Sequence, residues 1–326
     1  MRRLFIMMIC TALMLCVSCS PAAGPGTSDT EPAPSEKTMT AYEMLSEIAE
    51  NSRKTGGISY TETLSFSYPA LLISMDLSVN RVQCSWDGTK ADRYREACGL
   101  PGTRLCYISS AEDAGPFTTA MDLPGSGTEI AGTVIYVSGG VLSVVMNGEG
   151  KAVSGKADFT ADPGLLADLL ESADREESFG FVHDPADILD ECVSLGDGII
   201  EMLKNTDAVF DDDGSATCGI LIPGTLIPEG RIDVSRLAVE LEEGFALELI
   251  DMALNFRMTA DGYLAEKTEK TRFSMNLLGN KFSELVVTAR ISYDSPGSKP
   301  DVSVPDIPDL EEYSPEELIS MIAPQP

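Results

Sequence analysis

The chain has 326 residues, of which 52 are acidic and 23 are basic, so its formal net charge at pH 7 is -29. A surface with this charge repels phosphate groups, which excludes a nucleic acid as the expected partner. Hydrophobic residues make up 43% of the chain, enough to form a sizeable core. His183 is the only histidine, which excludes a metal site with several histidine ligands.

The first residues have the pattern of a secretory signal peptide. Arg2 and Arg3 precede an uninterrupted apolar run over residues 4–10 that continues, with one threonine, to Leu15. This run is too short for a comfortable membrane span, and its basic start is typical of an export signal. We therefore expect residues 1–18 to be a signal peptide and the rest of the chain to lie outside the cytoplasm.

The end of this segment resembles a bacterial lipobox, in which a signal peptidase cuts before a cysteine that carries diacylglycerol. The motif consists of Cys16, Val17 and Ser18 before Cys19. Val17 and Ser18 fit the pattern, whereas Cys16 stands where leucine is usual. The resemblance implies an acyl anchor on Cys19. An ordinary signal peptide with an incidental cysteine is the alternative.

A tether follows the predicted anchor. Residues 19–39 are rich in Pro, Gly, Ser and Thr and contain little that could be buried, which predicts a flexible linker. The linker lacks the cluster of Lys and Arg residues that binds anionic lipid. We therefore expect the membrane to be reached through the acyl anchor alone, on the periplasmic face or at the cell surface.

Five cysteines remain after the anchor, which is an odd number. Export permits disulfides, and an odd number leaves at least one thiol unpaired. One bridge among the first three of them is one interpretation, and five buried thiols is the other. The five are Cys84, Cys98, Cys106, Cys192 and Cys218.

The ordered chain is predicted to begin with a helix and a long hairpin. Thr40 and Glu43 have the spacing of a capping box, and the helix that follows ends before Gly56. Apolar and polar residues then alternate over 58–68 and again over 73–80. Strict alternation predicts two antiparallel strands with one buried face, in which Glu62 is the one polar exception.

The remaining periodicity predicts more strands and several helices. Further strands are expected at 81–86, 90–96, 104–109, 133–137, 141–146, 216–222, 231–234, 254–259, 264–277 and 282–293. Helical spacing indicates helices that begin near residue 162 and run over 185–205, 233–253 and 315–322. Residues 110–130 are predicted to be a loop.

This order of elements predicts the α+β class. We expect a large, curved antiparallel sheet, a half-barrel. One face of this sheet must be covered, and the helices are available to cover its concave side. We expect one domain over residues 40–308 and a C-terminal tail with a short helix over residues 309–326.

The layout is similar to that of the bacterial LolA/LolB/LprG-like lipoprotein-carrier family. The similarity rests on the first helix, the Ser/Thr-alternating strands, a tyrosine–turn–apolar strand element and the last strand with its exit, at 44–49, 58–80, 134–142 and 291–305. It implies an open half-barrel whose concave cavity carries acyl chains. No residue of the family's ligand site can be transferred to this chain.

The apolar face of the predicted hairpin is the candidate ligand-binding face. Its residues are Ile58, Tyr60, Leu64, Phe66, Ile73, Met75, Leu77 and Val79. They line a cavity for a lipid or another apolar ligand if the face is open, and they form ordinary core if helices fill it. The second case corresponds to a surface structural or adhesion module without a ligand.

No motif for catalysis, a cofactor or a metal is present in the sequence. The turn 211–214 has consecutive Asp residues but lacks the spacing of a calcium-binding loop. His183 and Asp184 precede Pro185 in the pattern of a helix start, without a nucleophile motif. We therefore expect a binding protein with no cofactor that is not an enzyme.

Overall fold

A computed structural model of the protein describes residues 38–69, 73–86, 104–110, 133–148, 151–166, 168–169, 183–196, 198–227, 245–277, 280–302 and 310–322. Several predicted elements lie outside the described residues. They are the signal peptide and lipobox, the linker as far as residue 37, the strands at 90–96 and 231–234, and the loop from residue 111.

Eleven strands form one antiparallel sheet in the order β6-β5-β4-β3-β2-β1-β11-β10-β9-β8-β7. The strands are β1 (Gly57–Tyr68), β2 (Ile73–Ser85), β3 (Arg104–Ser110), β4 (Thr133–Ser138), β5 (Val141–Gly148), β6 (Lys151–Asp158), β7 (Val209–Phe210), β8 (Ala216–Pro223), β9 (Phe245–Met258), β10 (Leu264–Leu277) and β11 (Asn280–Tyr293). Within the described part of the chain, β6 and β7 are the two edges. The predicted large open antiparallel sheet is therefore confirmed.

Four α-helices of the described chain accompany this sheet. They are α1 (Ala41–Ser52), α2 (Ile188–Ser194), α3 (Ile199–Lys204) and α4 (Pro315–Ile322). Residues 163–166 and 168–169 are also helical, and two short 3-10 helices occur at Pro185–Asp187 and Gly224–Leu226. The helix predicted over 315–322 is confirmed.

The capping box at the start of α1 is confirmed. The main-chain N–H of Glu43 donates to the Thr40 hydroxyl at 3.2 Å, and the Glu43 carboxylate accepts from the main-chain N–H of Thr40 at 2.8 Å. Both bonds pair N–H groups that have no partner within the helix. The main-chain N–H of Thr40 and, to a smaller extent, its hydroxyl donate to the Glu43 carboxylate and lower the pKa of Glu43.

The predicted β1–β2 hairpin is confirmed, with a β-bulge inside it. Thr63 pairs with Val79 and Leu64 with Ser78, after which the register shifts between Leu64 and Ser65. A bulge adds one residue to one strand and therefore changes which side chains share a face. The strand predicted at 81–86 is the continuation of β2 to Ser85.

The prediction of one helix over 185–205 is wrong. The segment contains a 3-10 turn and two helices, α2 and α3, which are separated by residues 195–198. Gly198 has a φ angle of 88°, a left-handed conformation that glycine adopts without steric cost. The glycines in this stretch end one helix and begin the next, although the apolar spacing continues across them.

The prediction of a helix over 233–253 is wrong from residue 245 onward, because Phe245–Met258 is strand β9. This strand pairs with β8 on one side and β10 on the other. Met252, Leu254 and Phe256 alternate with less buried residues, which is the two-residue period of a strand. Strand β6 was not predicted, because its residues carry little apolar alternation.

The buried apolar side chains form two main clusters. The first core combines β1–β6 and β11 with Leu166 and α4. The second core combines α1, α2 and α3 with residues of β8, β9 and β10. The three helices of the second core thus pack with one face of the sheet, on the β8–β10 side.

The C-terminal segment closes the β6 edge. The main chain of Lys156 on β6 accepts a hydrogen bond from Tyr313 at 2.9 Å and donates one to Glu311 at 2.9 Å. Leu318 of α4 is fully buried in the first core. A Cβ atom added at Gly155 would lie 2.6 Å from the Tyr313 ring, so the absence of a side chain there permits this contact.

We expect Gly155→Ala to lower the free energy of unfolding by ~1–3 kcal/mol, because the added methyl group forces the Tyr313 ring out of its packing. Urea unfolding monitored by circular dichroism measures this change. Gly164→Ala is the matched control, since its Cβ would meet only Asp162 at 3.4 Å. Equal losses in the two variants would contradict the proposed role of the Gly155 contact.

Candidate functional site

One face of the sheet is continuous from β1 to β10, because directly paired residues point to the same side. Tyr60 on β1 pairs with Tyr293 on β11. Two residues further along β1, Glu62 pairs with Ile291, and Ile291 pairs with Lys267 on β10. Glu62 and Lys267 therefore lie on the same face as Tyr60, which we call the inner face.

Five polar side chains meet on the inner face and form what we call the polar strip. They are Asn80, Glu62 and Lys267 of the sheet, and His183 and Glu191 of the segment packed over it. The Asn80 amide donates to Glu62 Oε2 at 2.9 Å, and His183 Nε2 lies 3.4 Å from Glu62 Oε1. Lys267 Nζ lies 2.7 Å from Glu191 Oε2. Each charged group of the strip thus has an oppositely charged or hydrogen-bonding partner.

Two tyrosines fix the main chain of His183. The N–H of His183 donates to Tyr60 Oη at 3.0 Å, and its carbonyl accepts from Tyr293 Oη at 3.0 Å. Burial raises the pKa of Tyr293 well above its usual value, so this phenol remains a donor. The next residue, Asp184, caps the 3-10 helix by accepting from the N–H of Ala186 at 2.9 Å, which confirms the predicted helix start.

The charge of His183 depends on Glu62. Burial disfavours the imidazolium form, but the hydrogen bond and the negative charge of Glu62 outweigh burial, and the pKa of His183 is raised. Lys267 opposes this shift and Glu191 supports it. The His183 side chain is 26% exposed and that of Glu62 is 15% exposed.

Lys267 is the buried cation of the strip, with 8% of its surface exposed. Burial disfavours its charge, but the carboxylates of Glu191 and Glu269 outweigh burial and raise its pKa. A buried ammonium group without such partners would lose its proton instead. Glu191 therefore links α2 to the sheet, because its carboxylate compensates the positive charge of the buried Lys267.

The structure divides the predicted ligand-binding residues among three places: the first core, a more distant part of the same face, and the β-bulge with the opposite face. Ile58 and Tyr60 are buried in the first core, 6% and 1% exposed. A cavity that borders Ile58 and Tyr293 has a volume of only about 20 Å³, which is room for one water molecule and not for an acyl chain. Around these two residues the inner face is filled.

Beyond the polar strip the inner face continues toward the β1–β2 turn. Leu64 lies there, and the register adds the positions of Phe66, which pairs with Met75, and of Ile73, which pairs with Tyr68. We call this part the distal face.

Strands β10 and β11 contribute apolar side chains to the distal face. Phe273 and Leu285 are directly paired, and Met275 follows on β10. All three are buried, and among the described residues they belong to neither the first nor the second core.

The β-bulge separates the last two predicted residues from the others. Val79 pairs with Thr63, which places it on the opposite face from Tyr60 and Leu64. Leu77 is the extra residue of the bulge, between Ser78 and Asp76.

The predicted lipobox residues Cys16, Val17 and Ser18 and the predicted anchor Cys19 lie outside the described residues.

A larger cavity of about 510 Å³ lies at β8 and β9, away from the predicted ligand-binding residues. Thr217, Gly219, Asn255 and Arg257 line it, and these residues pair with one another on the outer face. Its lining combines polar and charged residues, among them Asp207 and Glu266, with apolar ones such as Val209 and Phe256.

The described residues contain no group of three or more His, Cys, Asp or Glu side chains that could hold a metal ion. The Asp-rich stretch 211–214 is the turn between β7 and β8, where Asp213 accepts from the N–H of Ser215 at 2.9 Å.

Two of the thiols are chemically inactive. Cys192 and Cys218 are buried and have free thiols, and burial raises the pKa of each to about 12. They are therefore protonated and poor nucleophiles at neutral pH. Cys84 is buried beside its register partners Ile58 and Leu105. The disulfide predicted as one alternative also involves Cys98 and the side chain of Cys106, which lie outside the description.

We expect the Lys267–Glu191 pair to show energetic coupling. Glu191→Gln leaves a buried ammonium group with less compensation, and Lys267→Met removes the cation, so each should destabilise the fold, while the double variant should lose less than the sum. A double-mutant cycle by urea unfolding should give a coupling of ~1–2 kcal/mol. The exposed pair Lys281–Glu284, whose atoms lie 2.9 Å apart, is the control and should couple by less than ~0.5 kcal/mol. Equal coupling in the two pairs would contradict the role of burial.

In the part of the chain that the structure describes, no helix combines the length and the hydropathy needed to cross a membrane.

No protein-family model matches the chain, and no curated protein matches it. Similar solved structures include LprF from Mycobacterium bovis, with 12% identity, 82% of this chain and 96% of that chain covered, and a TM-score of 0.30. The S-type phycobiliprotein lyase CPES from Guillardia theta has 6% identity, covers 79% and 94%, and has a TM-score of 0.20. The LolA superfamily protein NE2245 from Nitrosomonas europaea has 12% identity, covers 82% and 96%, and has a TM-score of 0.18.

LprF and a LolA superfamily protein are thus among the similar structures.

Proposed function

We propose that the protein is an acyl-anchored binding protein outside the cytoplasm, and that its distal face holds an apolar ligand such as a lipid. The observation that carries this proposal is the position of Phe273, Met275 and Leu285. These buried apolar side chains share the inner face with Leu64 but belong to neither of the two cores. They form a separate group of buried apolar side chains beyond the polar strip.

The net charge disfavours contacts between the protein and an anionic part of such a ligand. With 52 acidic and 23 basic residues, the exterior repels anionic headgroups. Lys267, a buried cation of the inner face, is already paired with Glu191. The ligand is therefore held by its apolar part, and each buried CH₂ group contributes roughly 0.8 kcal/mol.

We further propose that the protein is a binder and not an enzyme. His183 is held by two tyrosine hydroxyls and faces Glu62. The thiols of Cys192 and Cys218 are protonated at neutral pH because burial raises their pKa to about 12. These groups are used for structure or are unreactive, which supports binding as the activity.

The alternative is a surface structural or adhesion module with a filled core. The packing around Ile58 and Tyr60 favours this alternative, because the cavity beside Ile58 is only about 20 Å³. In a ligand-binding protein the distal face binds a ligand, whereas in a structural module its side chains only pack against other parts of the protein.

We expect the purified protein to bind the neutral apolar probe N-phenyl-1-naphthylamine, with a rise in fluorescence as the probe leaves water. Phe273→Ala should weaken binding on the order of tenfold, because truncation removes apolar contact area. Leu105→Ala is the control, since Leu105 is buried in the first core and not on the distal face.

Mass spectrometry of an organic extract of the wild-type protein provides a second test, which does not depend on any variant. A co-purifying lipid supports ligand binding. No lipid in the extract together with no probe binding would overturn the proposal in favour of the structural module.

The anchor has its own test. Cys19→Ala removes the acylation site, so we expect this variant to move from the membrane to the soluble fraction in cell fractionation. Cys10→Ala is the control and should remain with the membrane, because Cys10 lies in the apolar run and outside the lipobox. An unchanged membrane fraction for Cys19→Ala would contradict an acyl anchor at this residue.

A further inference from the structure

A short covering segment lies over the second core. It comprises residues 183–196 and 198–204 of the described chain, with α2 and α3 as its helices, and we call it the cover. Ile188, Cys192, Ile199 and Leu203 of the cover are buried in the second core. The two helices have seven and six residues, too short to be stable alone, so their order depends on contacts with the rest of the protein.

Two ionic contacts join the cover to the inner face of the sheet. His183 begins the cover and faces Glu62 on β1, with 3.4 Å between Nε2 and Oε1. Glu191 on α2 binds Lys267 on β10 at 2.7 Å. The first contact depends on a proton that is exchanged near neutral pH, whereas the second does not.

The charged groups that face His183 come from several elements. Glu62 lies on β1, Lys267 on β10 and Glu191 on α2, and Asp184 follows His183 in the chain. The hydroxyls of two tyrosines complete the surroundings, one from β1 and one from β11. Carboxyl groups ordinarily titrate below pH 5, and Lys and Tyr near pH 10. Among the described groups of this site, the imidazole is therefore the one that changes charge between pH 6 and pH 8.5.

We propose that the cover is a pH-dependent lid, held against the sheet while His183 is protonated and loosened when His183 loses its proton to solvent. The mechanism is the loss of the attraction between the imidazolium and the Glu62 carboxylate. The Lys267–Glu191 pair and the buried apolar residues keep the cover attached, so the change is a local opening and not global unfolding. This inference does not depend on the identity of any ligand.

The direction of the effect follows from linkage. Glu62 raises the pKa of His183 in the folded protein. The stabilisation is therefore fully present below the pKa of an unfolded histidine, about 6.5, and is lost as the pH rises through the higher value of the folded protein. The lid is held more firmly at pH 6 than at pH 8.5.

Hydrogen exchange of the full chain, measured by mass spectrometry at pH 6 and pH 8.5, tests the lid. After correction for intrinsic exchange rates, protection of the amides in α2 and α3 should fall on the order of threefold to tenfold at the higher pH. Helix α4 is the internal reference, because it packs with β6 in the first core. Its protection should not change over this range.

NMR gives a direct view of the proton, since His183 is the only histidine and yields one imidazole signal. The signal should titrate with a midpoint above 6.5 in the wild type and at a lower pH in Glu62→Gln. Glu62→Gln should also remove the pH dependence of amide protection in the cover. Glu312→Gln removes the same charge at an exposed ion pair with Lys156 and should leave both results as in the wild type.

Equal protection of α2 and α3 at the two pH values in the wild type would overturn the proposal. So would a pH dependence that survives in Glu62→Gln. The wild-type series and the NMR titration need no variant, so they decide the question even if Glu62→Gln does not fold.

Discussion

Glu62 and Lys267 lie on a sheet face that is otherwise largely apolar, and charges on such a face must be compensated. This constraint organises the middle of the molecule. The buried charge of Lys267 requires the carboxylate of Glu191, which determines where α2 packs. Glu62 accepts a hydrogen bond from the Asn80 amide and faces His183. The cover is therefore positioned by electrostatics as well as by its apolar residues.

The polar strip also marks the line where the two halves of the chain meet. Strand β1 pairs with β11, so Tyr60 lies beside Tyr293 although more than 200 residues separate them in sequence. The N-terminal strands build most of the first core, and β8, β9 and β10 contribute to the second. Glu62 comes from one half and Lys267 from the other, so the strip exists only once β1 and β11 are paired. Such non-local pairing is characteristic of slowly folding sheets.

Local patterns predicted the parts of the fold that local forces determine. The Thr40–Glu43 capping box and the alternation through β1 are visible within a few residues, and both were confirmed. Strand β9 was partly mistaken for a helix, because the spacing of Leu247 and Ile250 fits a helix as well, and only pairing with β8 and β10 decides the outcome. The break at Gly198 depends on a φ angle that apolar spacing does not show.

The candidate site was less accessible to sequence reasoning. Glu62 stood out as the polar exception in β1, which was the available signal. Its meeting with His183, and that of Lys267 with Glu191, are contacts over 121 and 76 residues of sequence that no local pattern reveals. Val79 shows the same limit, because a single bulged residue moves it to the other face of the sheet.

The pairing of the C-terminal segment with β6 has a consequence for self-association. The unpaired main-chain groups of a sheet edge are a template on which another chain can add a strand. Glu311 and Tyr313 bind the main chain of Lys156, and the buried Leu318 holds the segment in place. The C-terminal segment thus protects the β6 edge. Its loss would leave unpaired main-chain groups to which a strand from another copy of the protein could add.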